Sequence, residues 1–111
     1  MSEMFPFTAI IPDGTALSSV VSTPGRELVA LVIPAGWATA DITLKGSVDG
    51  DIFYDVHNVA GDEVVIKGAA SRYVTVPEFL YGDFIALQFR SGTSALPVSQ
   101  TGGLALTILM E

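Results

Sequence analysis

Apolar and polar positions alternate along this chain in short runs, and Gly and Pro separate one run from the next. Alternation with period two over four to eight residues predicts a strand with one buried face. It is clearest in two places. Across residues 42–48, Ile42, Leu44, Gly46 and Val48 point one way, and Thr43, Lys45 and Ser47 the other. Across residues 104–110, Leu104, Leu106, Ile108 and Met110 share a face. Residues 28–33 are apolar throughout, which predicts a central strand covered on both sides. Residues 5–11 predict an edge strand, because Pro6 has no amide to give to a ladder.

Turn chemistry divides the remainder. Asp13-Gly14 and Pro24-Gly25 bracket a strand over 15–23, and residues 34–40 form a loop carrying Trp37. Asp49-Gly50 is a tight-hairpin signal, since both residues tolerate positive φ, and 52–57 is its return strand. Asn58–Asp62 turns into a strand over 63–67, and 68–72 turns into one over 73–76. Residues 77–82 predict one helical turn. Residues 84–89 predict a strand with Ile85, Leu87 and Phe89 on one face, and 90–100 a polar loop. The result is eight or nine short strands and no long helix. That is an all-β sandwich, jelly-roll-like in preference to a small barrel, with immunoglobulin-like order the other option. Residues 1–111 make a single domain, with 1–11 either its first strand or an N-terminal arm docking on a neighbouring subunit.

Composition adds a tension to this picture. Half of the 111 residues are hydrophobic and only 15% are charged, against about 25% charged in ordinary soluble domains. Mean hydropathy is +0.53. No apolar run approaches the roughly 20 residues of a spanning helix, so no membrane partner is expected. The N-terminus has neither a cationic start nor a long apolar stretch, so no secretory signal is expected. The surplus apolar surface is expected to meet other subunits, through the N-terminal segment, the Trp37 loop and the 90–100 loop. Net charge is −7, and the five bases Arg26, Lys45, Lys67, Arg72 and Arg90 are dispersed. Phosphate binding needs clustered bases, so nucleic acid is excluded as a partner. There are no cysteines, hence no disulfide, thiolate metal site or thiol nucleophile.

No residue set specifies a reaction, a cofactor or a metal. Asp49, Asp51, Asp55, Asp62 and Glu63 gather around two turns, but Ile52 and the misplaced glycine break a calcium-loop pattern. Two polar turns, whose backbone favours Asp, account for these acids better than a calcium site does. His57 is the only histidine; no serine stands in a nucleophile elbow to use it. It reads as a cross-strand partner beside Asp55. Trp37, Phe53, Tyr54, Tyr73, Phe79 and Tyr81 offer either core anchors or a sugar-stacking platform. Phe53 and Tyr54 point to opposite faces of one strand, so they do not share a platform. The residues expected to make subunit contacts are Phe5, Phe7, Trp37 and Arg90, the last pairing with a partner carboxylate.

Four ordered segments carry a family resemblance. They are Ile33-Pro34-Ala35-Gly36-Trp37; residues 46–56, with Ser47-Val48-Asp49-Gly50-Asp51-Ile52-Phe53-Tyr54; Ala69-Ala70-Ser71-Arg72-Tyr73-Val74; and residues 90–100. Together they resemble small β-sandwich virion proteins of tailed bacteriophages, over roughly residues 28–110. The resemblance implies a non-enzymatic structural component, with capsid decoration (cement) proteins the nearest type. Such proteins sit on the outer capsid surface, often as trimers, and contact the major capsid protein after synthesis in the host cytoplasm. A minor head–tail joining protein and a glycan-binding module of a tail or fibre are the other roles it implies. No catalytic residues come with the resemblance.

Overall fold

The structure, a computed structural model, describes residues 5–24, 26–76 and 84–111. The expected helical turn over 77–82, and Gly25 of the Pro24-Gly25 turn, lie outside the described residues.

The strands are β1 (Phe5–Ile11), β2 (Val21–Ser22), β3 (Leu28–Ile33), β4 (Ile42–Ser47), β5 (Tyr54–Asp55), β6 (Val65–Ile66), β7 (Arg72–Thr75), β8 (Ala86–Ser91) and β9 (Leu104–Met110). They form two antiparallel sheets, β1-β9-β3-β7 and β2-β8-β4-β5, with β6 also on β4. The pairing is nested. β1 pairs β9, β2 pairs β8, β3 pairs β7, and β4 pairs β5 and β6 along one edge. Except from β4 to β5 and β6, successive strands change sheet. This is the jelly-roll order of a folded double hairpin. The fold is the all-β sandwich that the patterning predicts.

Alternation explains which side of each strand is buried. Leu106, Ile108 and Met110 on β9 are fully buried, as are Leu31 and Ile33 on β3 and Ile42, Leu44 and Phe89 on the other sheet. Side chains of this size each contribute about 1.5–3 kcal/mol on burial. β3 lies between β9 and β7, as a central strand should, but it is not covered on both faces: Leu31 and Ile33 are buried inward, while Val32 on the outward side is half-buried. β1 is an edge strand, with Pro6 opposite Leu109. Gly46 keeps its place on the inward face because the Phe84 ring fills the space a side chain would need. A Cβ there would sit 2.3 Å from two ring carbons.

Several boundaries differ from the sequence expectation. The 15–23 strand shrinks to β2, while Thr15 and Leu17 make only single bridges, to Gln100 and Arg90. Asp49-Gly50 does not close a two-residue hairpin, since β4 and β5 first pair at Gly46 and Tyr54. The loop between is instead held by side chains: Ser47 Oγ accepts from the Gly50 amide at 2.8 Å. Val48 is 71% exposed, so the inward set of β4 ends at Gly46. Thr43 and Ser47, expected to face water, are buried because each is bonded to nearby chain. Ile85 precedes β8 and is largely exposed, while Leu87 and Phe89 point inward as expected. Arg90 and Ser91 complete β8 and do not begin the following loop.

Candidate interaction surface

Arg90 leaves the outer face of β8 opposite Thr43 on β4. Its Nη1 donates to Asp55 Oδ1 at 2.8 Å, its Nη2 to Glu63 Oε2 at 2.9 Å, and its Nε to Thr43 Oγ1 at 3.1 Å. The Thr43 hydroxyl in turn donates to the Gly92 carbonyl at 2.8 Å. The Ser94 amide donates to the Glu63 carboxylate at 3.2 Å. Arg90 thus ties β4, β5 and the loop after β8 within one chain. Arg90 was expected to meet a partner's carboxylate; within the chain it already has two, and its side chain is 10% exposed.

Trp37, also expected to make subunit contacts, is likewise enclosed by its own chain. It is 4% exposed and belongs to the core, with its Nε1 donating to the Ala40 carbonyl at 3.2 Å. A buried indole needs such an acceptor, and a turn three residues ahead provides it. Buried Gln100 fastens the same loop. It accepts from the Ala38 amide at 2.9 Å and donates to the Ala38 carbonyl at 3.0 Å and to Ser91 Oγ at 2.8 Å.

Phe5 and Phe7 lie on β1 opposite Met110 and Ile108, so they share the inward side. The Arg26 guanidinium covers them, 4.0 Å from the Phe5 ring centroid and 5.7 Å from that of Phe7. Residues 5–11 are therefore an integral strand of this sandwich, not an arm, and the two rings are occupied at its open side.

The acidic group separates into parts with different work. Asp55 and Glu63 serve Arg90. Asp49 Oδ1 accepts from the Ile52 amide at 3.0 Å, the Asp51 amide at 2.9 Å and Ser47 Oγ at 3.0 Å. These bonds favour its ionised form and hold its carboxyl below the usual aspartate value. Among the described residues no group of three His, Cys, Asp or Glu side chains is placed to hold a metal ion. His57 bridges Glu63 across the turn, with Nδ1 3.1 Å from the Asp55 carbonyl. Of the candidate stacking aromatics, Tyr54 and Tyr73 are exposed but sit on different sheets, and Trp37 is buried. Phe79 and Tyr81 lie outside the described residues.

What the sequence reading missed is a contrast between the two outer faces. The outer face of the second sheet carries Lys45, Asp55, Gln88 and Arg90. On the first sheet the outward positions follow from the register. β1 contributes Pro6, Thr8 and Ile10; β9 contributes Leu109, Thr107 and Ala105 opposite them. β3 adds Ala30 and Val32, and β7 adds Thr75 and Tyr73 opposite those. None of these residues is charged, but Glu27 and Glu111, which exchange backbone bonds next to inward Leu28 and Met110, set two carboxylates at one end of the face. Ile10 is 49% exposed and Tyr73 58%, and Val32 and Leu109 are half-buried between their neighbours. The signal was present in sequence: β1, β3 and β9 contain no charged residue at all. No pocket opens among the described residues.

No protein family, curated protein or solved structure matches the chain.

Proposed function

We propose that this chain is a non-enzymatic structural component of a tailed-bacteriophage virion, a decoration protein that braces the outer capsid surface. It would do so by binding its own copies and the major capsid protein. The observation that carries the reading is the set of apolar and threonine positions on the outer face of the β1-β9-β3-β7 sheet. Glu27 and Glu111 bound that set at one end, and within it, on a chain of net charge −7, the surface suits association because burial of those positions desolvates no charge. Apolar contact contributes about 25 cal/mol per Å², and small patches repeated over a lattice add by avidity. The nested jelly-roll order is an architecture common in capsid proteins, and also in lectins. The segment resemblance to phage virion proteins supports the first. The lectin alternative calls for exposed aromatic rings that converge, and Tyr54 and Tyr73 stand on separate sheets.

The test is binding to undecorated capsids built from the accompanying major capsid protein. Co-sedimentation, with a rise in the shell's resistance to heat, is the expected result. Absence of shell binding refutes the decoration role. Binding to tails or to a glycan array in its place would reassign the protein to the joining or sugar-binding roles.

A further inference from the structure

We infer that Asp49-Gly50 is a latent isoaspartate site, and that Ser47 is the side chain that keeps it closed. The inference holds whatever surface the chain binds. The chain contains two Asp-Gly dipeptides, at 13–14 and 49–50. Glycine is favoured at both, because φ is +76° at Gly14 and +80° at Gly50. A glycine has no side chain to shield its own amide, so an aspartate before it is the one most open to attack on its carboxyl.

The reaction balances with water alone. The Gly50 nitrogen bonds to Asp49 Cγ, and its proton leaves with the carboxyl hydroxyl as water. The product is a five-membered succinimide. Water then adds to one of its two carbonyls. Opening on one side restores aspartate. Opening on the other routes the main chain through the side chain and leaves isoaspartate. The attack needs a protonated carboxyl as electrophile, and a nitrogen turned toward it and free of its hydrogen bond.

The loop after β4 withholds both. Buried Ser47 Oγ accepts from the Gly50 amide at 2.8 Å and from the Asp49 amide at 3.3 Å. The same hydroxyl donates to Asp49 Oδ1 at 3.0 Å. The Asp51 and Ile52 amides donate to that oxygen at 2.9 and 3.0 Å. The nitrogen is thus directed at Ser47, and the carboxyl is held in its ionised, unreactive form. Ser47 is itself fixed, because it closes β4 opposite Ala86 and its carbonyl accepts from the Ile85 amide at 2.9 Å. Isoaspartate would end this arrangement, since its extra main-chain carbon moves the carboxylate away from the amides it now accepts from.

Asp13-Gly14 supplies an internal control. The Gly14 amide donates to the Gln100 carbonyl at 2.8 Å, and Asp13 Oδ1 accepts from the Gly102 amide at 2.7 Å. Ser47 takes no part in these bonds, so losing its hydroxyl should leave this site alone.

Incubation of the whole chain for weeks at neutral pH, followed by peptide mapping that separates isoaspartate from aspartate, tests the lock. Wild type should convert at Asp49 far more slowly when folded than in urea. Ser47→Ala should speed conversion at Asp49 by at least about tenfold, the factor by which one hydrogen bond to a charged group holds down the open form. Its rate at Asp13 should match that of wild type. If Ser47→Ala does not fold, Ser47→Cys replaces it, since a thiol fills the same place but bonds weakly; the same rise at Asp49 alone is expected. A rate at Asp49 that the folded variant leaves unmoved overturns the inference. So does an equal rise at both dipeptides, which would mark general loosening, and so does a folded wild type that converts at Asp49 as fast as the urea-unfolded chain.

Discussion

Arg90 satisfies three acceptors from a nearly buried position, and only a planar, forked cation reaches all three. Arg90→Ala would leave Glu63 and Asp55, which are 15% and 33% exposed, facing each other without a cation. Urea unfolding should show a loss of about 2–4 kcal/mol. Arg90→Lys restores charge without the fork, and should recover only part of that. Equal stability of all three proteins would show the network to be ornamental. At the neighbouring turn, the lowered pKa of Asp49 has a defined sign. The ionised form is favoured in the folded state, so its contribution is present above the unfolded value near 3.8 and lost as pH falls through the lower folded value. A carboxyl NMR titration should find Asp49 protonating below the unfolded aspartate value. Asp49→Asn keeps the acceptor but not the charge. Its stability deficit relative to wild type should be present near neutral pH and shrink toward about pH 2. A deficit that did not change with pH would contradict the assignment. The Arg90 role could not be read from sequence, because Thr43, Asp55 and Glu63 are brought to it only by the sheet register, whereas the Asp49 partners are all within three residues of it.

At the scale of the element, long alternating or continuous apolar segments were legible: β1, β3, β4 and β9 lie where the pattern puts them. Short strands were not. β2, β5 and β6 are held by two register pairs each, so local residue preference competes with loop geometry and loses. The burial of two expected contact residues was hidden for a related reason. Trp37 and Arg90 sit in or beside glycine-bearing segments that look like loops, yet the Trp37 loop folds back onto the core and Arg90 belongs to β8. The loop after β8 turns on Gly92, whose φ is +90°. A Cβ there would lie 2.4 Å from the Leu96 carbonyl and 2.7 Å from the Val98 amide, both backbone atoms that cannot swing aside. Gly92→Ala should therefore cost about 2–4 kcal/mol. Gly14→Ala, at φ +76° with open space around it, should cost about 1 kcal/mol. Paired thermal melts would read the difference, and equal costs would mean that the clash is relieved by a loop shift.

Across the whole molecule, nesting makes the outermost pair, β1 with β9, the one most distant in sequence, and β9 also separates β1 from β3. Closing such pairs requires ordering most of the chain first, so refolding should take milliseconds to seconds. The single buried Trp37 gives the fluorescence signal for a stopped-flow measurement. A microsecond phase carrying all the amplitude would argue against the nested order. The same nesting has a second consequence. Phe5 stands opposite Met110, so the ends of the paired strands are adjacent and a short linker can join them. A nested set of pairs can be opened at its centre as well as at its rim. The centre is the turn at Val59, which is fully exposed. Cutting there removes the bonds that the Ala60 and Asp62 amides donate to Asn58 Oδ1 but breaks no strand. A permuted chain starting at Ala60 and ending at Val59 should keep the native β circular-dichroism spectrum and unfold cooperatively. Its stability loss should be about 1–2 kcal/mol. If it collapses without cooperative unfolding, the 57–63 turn is a nucleus on which the sheets depend, and the pairs do not form a symmetric nest.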